Sequence, residues 1–253
     1  MDEAPEITYD LSLLEQSLRA WEASPALRAV YADIYQAIGV SCSEGPTLEI
    51  GSGIGVSREF IPKVVTSDVV QTPYVDLEMS AYDIKPPETG CWANIFAIDV
   101  LHHLMTPLQF LQSAASALAP GGRLILVEPA ATMGGCLFYR LFHPEPVEPR
   151  KIVPPFAFQP NGPAGEFANM GMGVALFKTH QVEMRRLLAE MGLICEFVEY
   201  RDLLAYPATG GYSKPQLLPT GGIRCLLSIE KRLPQALLRH LGLRMRIVLR
   251  QRT

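Results

Sequence analysis

The sequence predicts an α/β protein with a doubly wound sheet, and three observations predict it. Short apolar runs of β character alternate with segments of helical periodicity along most of the chain. The run Thr47-Leu48-Glu49-Ile50 passes straight into Gly51-Ser52-Gly53-Ile54-Gly55. A glycine loop between a buried strand and a helix is where α/β folds hold nucleotides, at the carboxyl edge of the sheet. The run beginning at Trp92-Ala93-Asn94-Ile95-Phe96 is almost continuously apolar until Asp99, which suits a central parallel strand covered on both faces.

Composition bounds the rest. The 253 residues fit one domain with elaborations, and the 48% apolar share is ordinary for a chain that buries a core. The balance of 22 basic against 26 acidic residues, a formal charge of −4, argues against bulk nucleic-acid binding. Cys42, Cys91, Cys136, Cys195 and Cys225 are scattered and lack any Cys-x-x-Cys. They indicate neither a disulfide framework nor a zinc site, so no metal is expected, and they read as buried thiols of a reducing cytoplasm. No apolar run reaches the ~18 residues of a membrane span, and the acidic start Met1-Asp2-Glu3-Ala4-Pro5-Glu6 is not a signal peptide.

The elements follow in order. Leu11, Leu14, Leu18 and Trp21 stand at helical spacing, and Leu27, Val30, Tyr31, Ile34, Tyr35 and Ile38 form a second stripe. Residues 1–44 are thus leading helices. The first strand is 47–50, and a short helix near 56–60 ends at Pro62. A second strand, Val64-Val65-Thr66-Ser67, ends at Asp68, whose carboxylate can take two hydrogen bonds from a ribose diol. The apolar strand of residues 92–98 follows. Thr106-Pro107 supplies an N-cap and a first-turn proline for a helix carrying Leu108, Leu111, Ala115 and Leu118. Pro120-Gly121-Gly122 turns the chain into a strand at 123–127 that ends at Glu128.

Residues 131–178 are rich in proline, glycine and aromatics and exceed what a minimal α/β fold needs, so they read as a cap inserted over a substrate pocket. Thr179 caps a helix with Met184, Leu187 and Leu188, and a strand covers 194–200. A second insertion spans 206–241, turn-rich at first and then helical with a break at Pro234. The last strand is 245–249.

The Gly-x-Gly-x-Gly loop brings its third glycine one place earlier than the dinucleotide fingerprint Gly-x-Gly-x-x-Gly. With Glu49 before it and Asp68 after the next strand, it resembles motifs I and II of the class I S-adenosylmethionine-dependent methyltransferases. Val100-Leu101-His102-His103-Leu104 resembles the small-molecule type of that family, including the quinone-biosynthesis enzymes. The resemblance is specific over about residues 25–130. It implies a Rossmann-like seven-stranded sheet with an antiparallel last strand, in which residues 45–130 form the cofactor-binding core and 179–253 complete it. The implied cofactor is S-adenosylmethionine, with S-adenosylhomocysteine as product. Glu49, Gly51, Ser52, Gly53 and Gly55 would approach its methionine and ribose portions, Asp68 would hold the ribose hydroxyls, and Val69, Asp99 and Val100 would line it. Family members place an Asp-Ala pair against adenine; here Ser80-Ala81 stands in that frame, and Lys85 replaces the usual proline. Tyr31 or Tyr35 could face the sulfonium through a cation–π contact.

The implied activity is methyl transfer to a small-molecule acceptor at O, N or C. Positioning can supply most of the catalysis, and a base is needed only where the acceptor must lose a proton. His103 is the first candidate base, on the expectation that adjacent helical side chains diverge so that only one of His102 and His103 faces the site. Glu128 is the second candidate, His143 and Glu145 the third, and Tyr212 could reach in from the late loop. Two other readings stand beside this one: a non-catalytic cofactor-binding or assembly subunit, and a nicotinamide oxidoreductase, which the glycine spacing disfavours. Lys231, Arg232, Arg239, Arg244, Arg246, Arg250 and Arg252 follow the last acid, Glu230. They read as a solvated helix and edge strand, or more sharply as a contact with an anionic membrane surface or a phosphorylated substrate.

Overall fold

The computed structural model describes residues 11–88, 90–162 and 165–253, without the side chain of Leu11. The acidic first residues and the Leu11 position of the first apolar stripe therefore lie outside the described residues. Strands β1 (Thr47–Ile50), β2 (Val64–Asp68), β3 (Leu77–Glu78), β4 (Trp92–Ile98), β5 (Leu118–Pro129), β6 (Leu193–Arg201) and β7 (Arg244–Gln251) form one sheet in the order β3-β2-β1-β4-β5-β7-β6. β1 to β5 run parallel. β7 is antiparallel to both β5 and β6, giving the seven strands with an antiparallel last strand that the sequence implies. The last strand is not at an edge, however; it is inserted between β5 and β6, and β6 takes the edge.

The chain runs outward through β1, β2 and β3 and then returns to place β4 on the other side of β1. The strand order reverses there, so the carboxyl ends of β1 and β4 flank a crevice, the position where open α/β sheets bind ligands.

Alternation along the central strands explains the double winding. Ile95, Ala97, Leu124 and Leu126 face one core with Phe110 and Leu111 of α3 (Pro107–Ala117) and Met184 and Leu188 of α6 (Gln181–Glu190). Phe96, Ile125 and Val127 face the other with the α2 (Pro25–Ser41) stripe Leu27, Val30, Tyr31, Ile34, Tyr35 and Ile38. Trp21 of α1 (Leu11–Ala23) and Ile223 of α8 (Thr220–Glu230) complete that second core. Burying one such side chain contributes roughly 1.5–3 kcal/mol, which is why these runs stay strands.

Several local expectations change. The helix expected after the glycine loop is a single 3-10 turn, Val56–Glu59. Thr106 makes no capping bond to the backbone, although Pro107 does open α3, and α6 starts after His180 rather than from a Thr179 cap. Pro120-Gly121-Gly122 lies within β5, with Gly121 at φ +77°. Residues 131–178 hold α4 (Met133–Phe142), then irregular chain, then α5 (Met172–Val174) running into a π-helical turn over Ala175–Thr179. Ile152, Phe156, Phe167 and Met172 from this segment are buried in the first core. Residues 206–241 are more helical than the sequence suggests: α7 (Ala205–Thr209), α8 and α9 (Gln235–Leu241).

The basic C-terminal stretch is largely paired. Arg244 meets Asp99, Arg246 meets Glu199, Arg250 meets Glu196 and Lys231 meets Asp33. Those four charges are spoken for, so the stretch does not form one open cationic face. No helix among the described residues is long and apolar enough to cross a membrane.

Candidate active site

The glycine loop and the tip of β2 are stitched together. Ser52 N donates to Ser67 O at 2.9 Å, and Ser67 N returns a bond to Ser52 Oγ at 3.0 Å. Gly53 N donates to Asp68 Oδ2 at 2.8 Å, while Val69 N donates to Asp68 Oδ1 at 2.7 Å. Asp68 O accepts from Met79 N at 2.7 Å, which draws the Ser80-Ala81 segment to the same edge. Ser80 Oγ accepts from Tyr82 N at 3.2 Å, closing a local turn.

Gly51, Gly53 and Gly55 all have φ between +54° and +69°, the left-handed region. The reason differs by position. A Cβ on Gly55 would stand 2.2 Å from Tyr74 O, so backbone packing excludes any side chain there. A Cβ on Gly53 would meet nothing nearer than Leu14 Cδ2 of α1 at 3.8 Å. The face over Gly53 is thus free of the sheet, and α1 lies across it.

Glu49 is buried beneath this loop and accepts from Ser57 Oγ at 2.5 Å. Burial pushes its carboxyl up to about 7, with the serine hydrogen bonds only partly offsetting that. It braces the loop from behind.

The other half of the crevice is assembled from distant segments. Asp99, at φ +57°, follows β4 and accepts from Arg244 Nη2 at 2.7 Å. Arg244 opens β7, and the antiparallel register sets it opposite Pro129, at the carboxyl end of β5. Its guanidinium stacks on Tyr206, 4.5 Å from the ring centroid, and lies 5.7 Å from Tyr31, whose ring meets Tyr212 edge-on. Arg244 Nη1 and Asp99 Oδ1 are enclosed and make no hydrogen bond among the described residues. Burial raises the Asp99 pKa, and the Arg244 and His102 charges pull against it.

Beside this pair, Val100, Leu101 and His102 form a tight turn around Glu128. Glu128 Oε1 accepts from Val100 N at 3.0 Å and Leu101 N at 2.8 Å; Oε2 pairs with His102 Nδ1 at 2.8 Å. Glu128 is fully buried with both oxygens engaged, so the expectation of a base there is corrected: it has no face left for an acceptor. The amide of Val100 is likewise spent on Glu128, and Val100 offers the crevice its side chain, packed against Gly51.

The expected divergence of the two histidines is also corrected. The turn is 3-10, and the rings of His102 and His103 lie side by side, centroids 4.1 Å apart. Both reach Glu145 from the cap segment: His102 Nε2 at 3.3 Å and His103 Nε2 at 3.9 Å. His102 is the buried member and His103 is half-exposed. Burial opposes charge on His102, but its hydrogen bond to Glu128 and the nearby Glu145 carboxylate outweigh it and push its pKa up to about 10. Burial and then the neighbouring His102 charge lower that of His103. His143 stands at the same carboxylate, its Nδ1 4.0 Å from Glu145 Oε2.

Arg244, Tyr206 and the buried role of His102 escaped the sequence reading. A usable signal existed for Arg244: the first residue of an antiparallel strand in a parallel sheet falls on the sheet's ligand edge. Two clefts of about 350 and 370 Å³ lie elsewhere, one lined by Asp33, Arg201 and Arg246, the other by Phe177, Arg185 and Phe197.

No protein-family model matches this chain, and no curated protein matches it. Solved structures do. A chain of the complex between the Haloferax volcanii Trm112 methyltransferase activator and a methyltransferase aligns with TM-score 0.50 at 10% identity, covering 99% of this chain and 98% of its own. The S-adenosylmethionine-dependent methyltransferase of Archaeoglobus fulgidus aligns at 0.47 and 12%, covering 89% and 94%. The Burkholderia thailandensis 1,6-didemethyltoxoflavin-N1-methyltransferase, solved with 1,6-didemethyltoxoflavin and S-adenosylhomocysteine, aligns at 0.46 and 13%, covering 96% and 85%. At 10% identity the first of these likenesses establishes the fold alone: a Rossmann-like methyltransferase fold with seven strands, the last antiparallel.

Proposed function

We propose that this protein transfers a methyl group from S-adenosylmethionine to a small polar acceptor. The observation that carries the reading is the junction of Gly53 and Asp68. An amide-lined loop with no Cβ over it meets a carboxylate at the tip of the next strand, within the same hydrogen-bonded unit. That junction fits a nucleoside with a vicinal diol: Asp68 would hold the ribose hydroxyls, with Val69, Ser80 and Ala81 at the base end and Gly51–Gly55 against the amino-acid portion. The cofactor supplies an activated methyl on sulfur, a leaving group that needs no proton. Leu14 lies across the loop, so cofactor entry is expected to displace the first turns of α1.

On the acceptor side, Arg244, Asp99 and the three tyrosines favour a ligand carrying a hydroxyl or carboxylate, because enclosed polar atoms in that wall call for a polar partner. Residues 131–178 would cap this chamber, bringing Glu145 and His143 to the His102–His103 pair. His103 is the member placed to receive a proton, since burial and its neighbour's charge keep it neutral. Glu128 acts through His102 and the 100–102 turn as a positioning residue.

Titration of the purified protein with S-adenosylhomocysteine is expected to give saturable heat near one equivalent. Asp68→Ala is expected to weaken it by at least tenfold, with circular dichroism unchanged. A flat titration at high concentration would count decisively against the reading.

A further inference from the structure

A second grouping sits next to the methyl-transfer chamber and is more than a proton relay. One ring nitrogen each of His102 and His103 and one Glu145 oxygen lie within 4.8 Å of one another. His143 Nδ1 is 4.0 Å from the same carboxylate, giving three imidazoles around one glutamate. We propose that His102, His103 and Glu145, with His143 as a fourth donor, form a binding site for a divalent transition-metal ion.

The arrangement has the parts such a site requires. First, the donors come from separate segments that the fold holds together: a 3-10 turn after β4 and the stretch following α4. Asn169 N donates to His102 O at 2.9 Å, which fixes the cap segment to that turn. Second, His102 is oriented from behind. Glu128 takes its Nδ1 and is itself held by the backbone amides of residues 100–102, so Nε2 is aimed at Glu145. A carboxylate behind a ligating imidazole fixes its tautomer and raises its basicity. Third, Glu145 Oε2 is enclosed yet accepts no hydrogen bond among the described residues, although His102 Nε2 is 3.3 Å away.

The spacings are within reach of a coordinated set. Bonds of about 2.0–2.2 Å to nitrogen and oxygen put neighbouring donors about 3–3.5 Å apart. His102 and Glu145 are already there, and His103, being half-exposed, has room to turn inward. Imidazole donors with one carboxylate favour zinc, iron, nickel or copper over magnesium or calcium, which prefer oxygen. Such an ion could also bind an acceptor oxygen and lower its pKa. That catalytic use rests on the proposed methyl transfer; the binding of the ion does not.

The test is a metal titration on chelator-treated full-length protein without nucleoside. Zn²⁺ is expected to bind near one equivalent with micromolar or tighter affinity, and Co²⁺ to give visible absorption bands of protein-bound ion. Glu145→Gln and His103→Asn, both at partly open positions, are each expected to weaken Zn²⁺ binding at least thirtyfold. Their thermal unfolding without metal should match the native protein's. Absence of saturable binding would overturn the proposal. So would binding that survives both substitutions, since the ion would then be held elsewhere. An S-adenosylhomocysteine titration on the same sample separates the two readings: loss of nucleoside binding with intact metal binding refutes only the methyl-transfer reading, and the converse refutes only the metal site.

Discussion

The two walls of the crevice are built in different ways. The wall proposed to hold the nucleoside is local: Glu49 to Asp68 spans twenty residues, and its contacts are mostly backbone amides meeting nearby oxygens. The wall proposed to face the acceptor joins Tyr31, Asp99, Glu145, Tyr206 and Arg244, and its central ion pair is separated by 145 positions. The first wall depends on backbone shape and the second on buried charge. Substitutions should therefore damage them through different terms.

The largest effect is expected at Arg244→Met. Removing one partner of a buried pair typically costs 3–5 kcal/mol because the other charge is left without compensation. Asp99 keeps some exposure, which places the expected loss near the lower figure, about 3 kcal/mol by urea unfolding. Adding Asp99→Asn should recover a substantial part of it. If the double variant were as unstable as the sum of the two singles, the pair would not be coupled and the charge-based account of this wall would fail.

The nucleoside wall should instead answer to the shape of the backbone. Gly55→Ala places a methyl against Tyr74 O in a left-handed residue, and about 2–3 kcal/mol is expected from conformational strain plus overpacking. Gly53→Ala carries only the conformational part, about 1–2 kcal/mol. Its methyl nevertheless projects over the loop face, so S-adenosylhomocysteine affinity should fall at least tenfold. Equal stability losses at the two glycines, with binding unaffected at Gly53, would remove the distinction between a packed and an open glycine.

The same division decides what could be read from the chain. The positions of the strands along the chain, the apolar stripe of α2 and the nearness of Asp68 to the glycine loop follow from short-range pattern, because the residues that set them are close in sequence. Arg244 looked like one of several solvated basic residues because its partner, Asp99, is set by strand register rather than by spacing. Two adjacent histidines looked divergent because a regular helix was assumed, whereas the 3-10 turn around Glu128 aligns their rings. Glu128 itself looked available as a base because it stands at the carboxyl end of a central strand, the edge where such sheets bind ligands. That three amides converge on it is a property of the turn, which periodicity does not report. The missing helix after Gly55 has a similar origin: Pro62 limits its length, but only the tertiary contact of Arg58 with Tyr74 O and Thr66 shows where those residues go instead.

Glu49 tests whether the nucleoside wall also uses charge. Its carboxyl is buried and its pKa raised to about 7, so the folded state holds the proton more tightly than the unfolded chain does. The associated stability is therefore complete below the ordinary carboxylate pKa of about 4.5 and is lost as pH rises through about 7. At 1.36 kcal/mol per unit the whole window amounts to about 3 kcal/mol, of which about 2 falls between pH 5.5 and 8. Glu49→Gln carries no such titration, so the stability difference between the variant and the native protein should shift by that amount across this range in the variant's favour. Binding of a nucleoside with a cationic amino group should stabilise ionised Glu49, so near pH 7 the native protein is expected to release roughly half a proton on taking up S-adenosylhomocysteine. Calorimetry in buffers of different ionisation enthalpy reads this directly, and the Gln variant should show none of it. Identical proton release in both proteins would make Glu49 a neutral brace and leave the loop's shape as the sole means by which this wall acts.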